Sequence, residues 1–66
     1  MMVDERLIRY IPKKNRKYIA DLSREGNYIT FLMIWEDGFA RSRVADNIAE
    51  LKDMVAMLME DREAEF

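Results

Sequence analysis

The chain has 66 residues, a formal net charge of −2, and neither cysteine nor histidine. This length allows one domain with a small core, and the missing residue types exclude disulfides, thiolate zinc sites, cysteine nucleophiles and histidine general bases. Half of the residues are hydrophobic, as in folded rather than disordered chains. We therefore expect a single domain over residues 1–66, ordered over 4–60, with no catalytic site, metal, cofactor or small-molecule substrate.

The first apolar run covers residues 6–11 and ends at Pro12. Proline cannot donate a hydrogen bond to a neighbouring strand and is typical of edges and turns, so this run is interpreted as a short edge strand. Apolar residues over 3–11 also fit helical spacing, which leaves a short N-terminal helix as the alternative.

A second run, residues 17–22, alternates in side-chain character and precedes a turn signal at Gly26. The alternation favours a strand that points its even-numbered side chains toward the core. A helix over residues 15–25 that ends before Gly26 remains the alternative.

The clearest local signal is the uncharged run 28–35, whose aromatic and β-branched side chains predict a long central strand. Asp37-Gly38 follows, and a type I′ turn centred on these two residues would lead into another strand. That turn places Trp35 opposite Ala40, Met33 opposite Ser42 and Phe31 opposite Val44.

The C-terminal segment predicts a helix from Ile48 to Arg62, followed by a frayed acidic tail over residues 63–66. Asn47 and Glu50 have the spacing of an N-terminal capping pair. An apolar stripe recurs at helical spacing and consists of Ile48, Leu51, Met54, Val55, Leu58 and Met59. The predicted fold class is α+β, a small antiparallel β-meander of three to four strands packed on one C-terminal α-helix.

The two faces of the predicted sheet differ in composition. The face assigned to the core carries Tyr18, Ala20, Leu22, Ile29, Phe31, Met33, Trp35, Ala40 and Val44. The second face mixes apolar and basic side chains, and one helix cannot cover both faces, so we expect another chain there, first of all a second copy in a homodimer. This predicted partner face comprises Ile19, Tyr28, Leu32, Ile34, Phe39, Arg41 and Arg43. The alternatives are cover by the first eleven residues, a different protein in place of the second copy, and a half-exposed face without a partner.

Charge is segregated along the chain. Residues 1–45 hold nine basic and six acidic residues, a net of +3, whereas residues 46–66 hold two basic and seven acidic ones, a net of −5. The basic run at a predicted turn, with the arginines of the sheet, suggests contact with a nucleic-acid backbone. The residues for this contact are Lys13, Lys14, Arg16 and Lys17, with Arg41 and Arg43. A solvated loop without a ligand is the alternative.

Tyr18, Glu25-Gly26, Tyr28, Gly38 and residues 47–51 are spaced in a way that resembles the strand–strand–strand–helix part of HicB-type antitoxins. The Pro-Asp-Leu-Pro-Gly stretch and the fourth strand of that family are missing. The same region is similar to the arm-binding domains of tyrosine integrases, which lay a three-stranded sheet on DNA. Both resemblances imply a regulatory or recognition module of mobile-element or phage type.

These observations lead to the hypothesis of a small non-catalytic regulatory module, inhibitor- or antitoxin-like, that binds a protein partner as a homodimer. Binding of nucleic acid is the alternative function. The longest uncharged run, residues 28–35, is far shorter than the ~20 residues that span a bilayer, and no leader is recognisable. We therefore expect a cytoplasmic protein without membrane contact.

Overall fold

A three-stranded antiparallel sheet forms the centre of the fold, and a long C-terminal helix packs on one side of it. The elements are α1 (Glu5–Ile8), a 3₁₀ helix (Lys13–Tyr18), β1 (Ile19–Glu25), β2 (Tyr28–Ile34), β3 (Ala40–Ala45) and α2 (Ile48–Ala64). The structure, a computed structural model, describes residues 2–64, and its strands are paired in the order β1-β2-β3. The predicted α+β class, a meander with one C-terminal helix on it, is confirmed.

The N-terminal segment is helical, so the predicted edge strand over residues 6–11 is wrong and the helical alternative is correct. Asp4 caps α1, because its side chain accepts a 2.8 Å hydrogen bond from the N–H of Arg6. This bond holds the pKa of Asp4 below its ordinary value of 3.8. Leu7 and Ile11 lie at helical spacing, and both are buried in the core.

Pairing with β1 at this edge of the sheet comes from residues 2–4 instead. The N–H of Leu22 donates to the carbonyl of Met2, and the N–H of Asp4 donates to the carbonyl of Leu22, each at 2.8 Å. Val3 and Leu22 thereby form an isolated parallel bridge. The segment that pairs therefore lies just ahead of the run that was predicted to pair.

The strand interpretation of the second run is confirmed from Ile19 onward, whereas residues 13–18 form the 3₁₀ helix. A single helix over residues 15–25 is wrong. Gly26 and Asn27 connect β1 to β2, and Gly26 has a φ of +61° while Asn27 has no positive φ. A positive φ at the first central residue alone is typical of a type II′ hairpin turn.

β1 contains an irregularity at Ala20 that changes which side chains face the core. The flanking pairs are Ile19 with Met33 and Asp21 with Leu32. The extra residue between these pairs shifts the alternation of the strand, as a β-bulge does. Ile19 and Leu22 are consequently both buried, at 7% and 0% exposure, and Ala20 is half-buried. The predicted placement of Ile19 on the partner face is therefore wrong.

The β2–β3 hairpin closes with a three-residue loop, so the predicted two-residue turn is wrong. A type I′ turn needs a positive φ at both central residues, and only Gly38 has one, at +88°, while Asp37 does not. The N–H of Trp35 donates to the carbonyl of Phe39 at 2.8 Å, and the N–H of Gly38 donates to the carbonyl of Trp35 at 2.9 Å. Residues 36–38 therefore form the loop, with glycine in the left-handed position that this loop type requires.

The longer loop shifts the hairpin register by one residue, which turns every side chain of β3 to the opposite face. The observed pairs are Ile34 with Ala40, Met33 with Arg41, Leu32 with Ser42, Phe31 with Arg43, Thr30 with Val44 and Ile29 with Ala45. Val44, predicted in the core, is 54% exposed, whereas Ala45 is fully buried. Ala40, also predicted in the core, is exposed as well.

α2 begins at Ile48, as predicted, and runs two residues past the predicted end, to Ala64. The side chain of Asn47 accepts a 2.8 Å hydrogen bond from the N–H of Glu50, which confirms the cap. The predicted tail over residues 63–66 is wrong for residues 63 and 64, which are helical, and its last two residues lie outside the described range.

The core lies between α2 and the odd-numbered side chains of β2. The buried members of the predicted helix stripe are Leu51, Val55 and Leu58, and they join one cluster with Ile29, Phe31 and Met33. Leu7 and Ile11 belong to the same cluster. The N-terminal segment therefore adds to the side of the sheet that α2 already covers, and the alternative in which it covers the second face is wrong.

Candidate interaction surfaces

The side of the sheet that faces away from α2 remains uncovered by the described elements, and we call it the open face. Residues that pair directly across antiparallel strands share a face. By this criterion the open face consists of Asp21, Ser23 and Glu25 on β1, Tyr28, Thr30, Leu32 and Ile34 on β2, and Ala40, Ser42 and Val44 on β3. Leu32 and Ile34 are half-buried, while Tyr28 and Val44 are 53% and 54% exposed. Three residues of the predicted partner face, Tyr28, Leu32 and Ile34, therefore lie together here.

Charge on the open face is confined to one margin. Its two charged residues, Asp21 and Glu25, are both acidic and both lie on β1. Next to them the hydroxyl groups of Ser23 and Thr30 are 3.2 Å apart and hydrogen-bonded. The β2 and β3 portion is uncharged, so the open face has an apolar centre and an acidic rim on one side.

The structure does not bring Phe39, Arg41 and Arg43 to the open face. Both arginines pair with core-facing residues of β2 and therefore point to the side of α2. Phe39 packs edge-on against Trp35, with ring centroids 5.6 Å apart. The predicted partner face is thus divided between two sides of the sheet, because the register differs by one residue from the predicted one.

A cluster of aromatic rings around Arg62 joins the end of α2 to the β2–β3 loop. The guanidinium carbon of Arg62 lies 4.2 Å from the ring centroid of Phe39 and 5.4 Å from that of Trp35. The ring of Tyr18 stacks on that of Trp35, with the ring centroids 5.7 Å apart. The Arg62 side chain is only 10% exposed, so the rings and a carboxylate replace most of its hydration.

That carboxylate belongs to Asp37 in the hairpin loop. The Arg62 guanidinium donates to Asp37 at 2.7 Å, and the N–H of Phe39 donates to the other carboxylate oxygen at 3.2 Å. The hydrogen bond from Arg62, followed by that from Phe39, holds the pKa of Asp37 below its ordinary value of 3.8. The cluster therefore ties the β2–β3 loop to the C-terminal end of α2.

Arg16, predicted to contact nucleic acid, is used inside the fold. Its Nε donates to the carbonyl of Ile11 at 2.8 Å, and its Nη2 donates to the carbonyl of Arg9 at 3.2 Å. These are carbonyls left free at the end of α1 and its following turn. The side chain is half-buried and holds the N-terminal segment to the 3₁₀ helix.

The three predicted lysines are exposed on the 3₁₀ helix. Lys17 forms a loose ion pair with Glu36, with Nζ and Oε1 3.7 Å apart, and lies 5.1 Å from the ring centroid of Tyr18. Lys13 and Lys14 point to solvent. Of the four residues in the predicted basic run, these two have the least involvement in the fold.

Acidic side chains of α2 lie between the lysines and the arginines of β3. One groove runs between the 3₁₀ helix and α2, and another runs between β3 and α2. Their charged lining residues are Lys14, Lys17, Glu60 and Glu63 in the first, and Arg41, Arg43, Asp61 and Arg62 in the second. A phosphate backbone that contacted both basic groups would pass along these carboxylates, which opposes binding. The predicted nucleic-acid surface is therefore not assembled as one patch.

The comparisons with known proteins give no match. No protein-family model, curated protein or solved structure is significantly similar to this chain. The resemblances to HicB-type antitoxins and to integrase arm-binding domains therefore receive no support from them. Within residues 2–64, neither α-helix is long and apolar enough to cross a membrane.

Sequence reasoning did not single out Arg62, and it missed a second basic group. Arg62 follows Leu58 by four residues and so continues the helix stripe, which is the signal that was available. Arg6, Arg9 and Arg24 line one shallow groove beside the start of α2. Arg24 is 15 positions from Arg9, and it meets Arg6 and Arg9 because the N-terminal segment pairs with β1, a contact that no local pattern indicates.

Proposed function

We propose that the protein is a non-catalytic interaction module that self-associates through the open face of its sheet and, in that state, binds a protein partner. The uncovered apolar centre of the open face carries this proposal. The solvent-facing side of an antiparallel sheet normally carries polar side chains. On the open face, however, β2 presents Leu32 and Ile34, and Val44 of β3 lies beside them. Contiguous apolar patches of this kind are typical of binding surfaces.

A second copy suits this face because of how the charges are arranged. A two-fold axis parallel to the strands would place β1 of one copy over β3 of the other. The acidic margin, Asp21 and Glu25, would then lie over the uncharged Ala40, Ser42 and Val44 rather than over itself. The apolar centres would stack on each other and exclude water.

The size of the face predicts weak association. Three strands about 4.8 Å apart and six or so residues long give a face of roughly 14 by 20 Å, or about 300 Å² in plan. A standard stable interface buries about 800 Å² on each partner. Self-association through this face alone should therefore depend strongly on concentration.

Sedimentation equilibrium over micromolar to millimolar concentrations tests the proposal. The informative variant is Val44→Glu, which puts a negative charge on the open face at a position that is already 54% exposed and that would lie over the acidic margin of the second copy. Met57→Glu is the matched control, because Met57 is 61% exposed on α2. We expect the wild type and Met57→Glu to associate reversibly and Val44→Glu to remain monomeric. A wild type that stays monomeric throughout, or a Val44→Glu variant that associates like the wild type, would contradict the proposal.

A further inference from the structure

The two edges of the sheet are protected in different ways. The β1 edge is paired with residues 2–4 through two hydrogen bonds. No segment within residues 2–64 pairs with the outer edge of β3. The side chains of residues 40–44 are all exposed. An unpaired edge strand offers a row of backbone donors and acceptors to another chain.

The side chains of two arginines donate hydrogen bonds to backbone carbonyls at this edge. The N–H of Trp35 donates to the carbonyl of Phe39, and antiparallel strands alternate, so Arg41 and Arg43 direct their backbone groups to β2. The backbone groups of Ala40 and Ser42 consequently point outward. Arg41 donates from Nη1 to the carbonyl of Ala40, and Arg43 from Nη1 to that of Ser42, both at 2.8 Å.

We propose that the β3 edge binds an extended segment of a protein partner that carries acidic side chains at alternate positions. This inference specifies the partner of the interaction module and rests on the function proposed above. The added strand donates its own N–H groups to the carbonyls of Ala40 and Ser42. The guanidinium groups are released from these carbonyls and pair with carboxylates of the added strand.

The spacing of the arginines selects for acidic residues two positions apart. Arg41 and Arg43 project to the same face, about 7 Å apart along the strand, and directly opposite residues of an added strand project to that face too. A second copy of β3 is a poor occupant, because antiparallel pairing centred on Ser42 would set Arg41 against Arg43 of the other copy. Like charges directly opposite each other destabilise a strand pair.

The test is titration of the isotopically labelled full chain with a short peptide that alternates Glu and Thr, and with a control peptide that has Lys in place of Glu. Outward backbone groups become paired only if a strand is added. We therefore expect the acidic peptide to slow amide hydrogen exchange at Ser42 and Val44, and the Lys peptide to leave it unchanged. Equal effects of both peptides, or binding without protection at these amides, would overturn the proposal.

Matched variants separate the edge from general electrostatic attraction. Arg41→Gln with Arg43→Gln keeps hydrogen-bond donors at exposed positions and removes two charges, and we expect it to weaken peptide binding by roughly tenfold or more. Lys13→Gln with Lys14→Gln removes the same charge elsewhere and should leave binding nearly unchanged. An equal loss in both variants would refute the edge site.

The outcome can be separated from that of the self-association test, which uses the protein alone. A chain that remains monomeric and still protects Ser42 and Val44 with the acidic peptide would refute the open-face dimer and leave the edge site in place. A dimer whose β3 amides no peptide protects would refute the edge site alone.

Discussion

The hairpin register can be tested directly with an engineered disulfide, because the chain has no cysteine of its own. Leu32 and Ser42 are paired in the observed register, at a position where the strands do not exchange hydrogen bonds. Such pairs have Cα atoms about 4.5 Å apart, within the ~4.4–6.8 Å range that disulfides span. Leu32→Cys with Ser42→Cys should therefore oxidise readily to an intramolecular bond.

The expected gain in stability follows from the loop that the bond closes. Cross-linking residues 32 and 42 encloses about eleven residues, for which the loop-entropy relation gives about 2.8 kcal/mol as an upper estimate. The comparison is between the oxidised and reduced forms of the same variant, so the cost of replacing Leu32 cancels. Urea unfolding followed by the fluorescence of Trp35 measures the difference.

Met33→Cys with Ser42→Cys is the matched control. A hairpin turn centred on Asp37-Gly38 would place Met33 opposite Ser42, whereas the observed register puts their side chains on opposite faces. The control should remain reduced under mild oxidation in native buffer. Formation of the bond in the control, or its failure in the pair of positions 32 and 42, would refute the register and every assignment of β3 side chains that depends on it.

Three further predictions concern the β2–β3 loop and its contact with Arg62. Arg62→Met should lower the free energy of unfolding by about 1–2 kcal/mol, because it removes a largely shielded guanidinium that lies 4.2 Å from the Phe39 ring centroid. The stability of Arg62→Lys should lie between those of Arg62→Met and the wild type, and equal stability of all three proteins in urea would contradict a stabilising contact. Because the pKa of Asp37 is lowered in the fold, its ionised carboxylate stabilises the fold above pH 3.8, and this contribution is lost as the pH falls further. Asp37→Asn should therefore flatten the acid limb of the pH–stability curve. A carboxyl pKa at or above 3.8 for Asp37, measured by NMR titration, would contradict this prediction. Gly38→Ala should cost about 1 kcal/mol in thermal or urea unfolding because Gly38 has a φ of +88°, whereas beyond its two chain neighbours no residue lies within 4 Å of the added Cβ. D-alanine favours a positive φ, so its introduction here by chemical synthesis should cost nothing.

Local patterns predicted the elements whose signals are purely local. The cap at Asn47 and the stripe through Leu51, Val55 and Leu58 located α2, because capping and helical spacing act within one or two turns. The uncharged run 28–35 located the central strand for the same kind of reason. These signals need no knowledge of the rest of the fold.

The local patterns did not predict two features that each depend on one extra residue, the bulge in β1 and the three-residue loop between β2 and β3. The bulge at Ala20 breaks the alternation of β1, so Ile19 reaches the core although the alternation of the sequence assigned it to the other face. Asp37-Gly38 fits two hairpin loops, one of two residues and one of three. The observed three-residue loop is accompanied by the contact of Arg62 with Asp37 and Phe39, which lie 25 and 23 positions earlier in the chain. A contact over such a distance leaves no mark in the local pattern.

The one-residue difference in the loop changes the chemistry of the surface that the sheet presents. In the predicted register, Arg41 and Arg43 lie among the apolar residues of the uncovered face, and such an apolar and basic surface suits a phosphate backbone. In the observed register, the open face keeps an uncharged centre with only Asp21 and Glu25 at its rim, and the arginines lie at the strand edge on the other side. The first arrangement would bind polyanions over the whole sheet, whereas the second separates an apolar surface from two charges aligned along a strand. The loop that sets this register is also the loop that Arg62 contacts from the far end of α2, through Asp37 and Phe39.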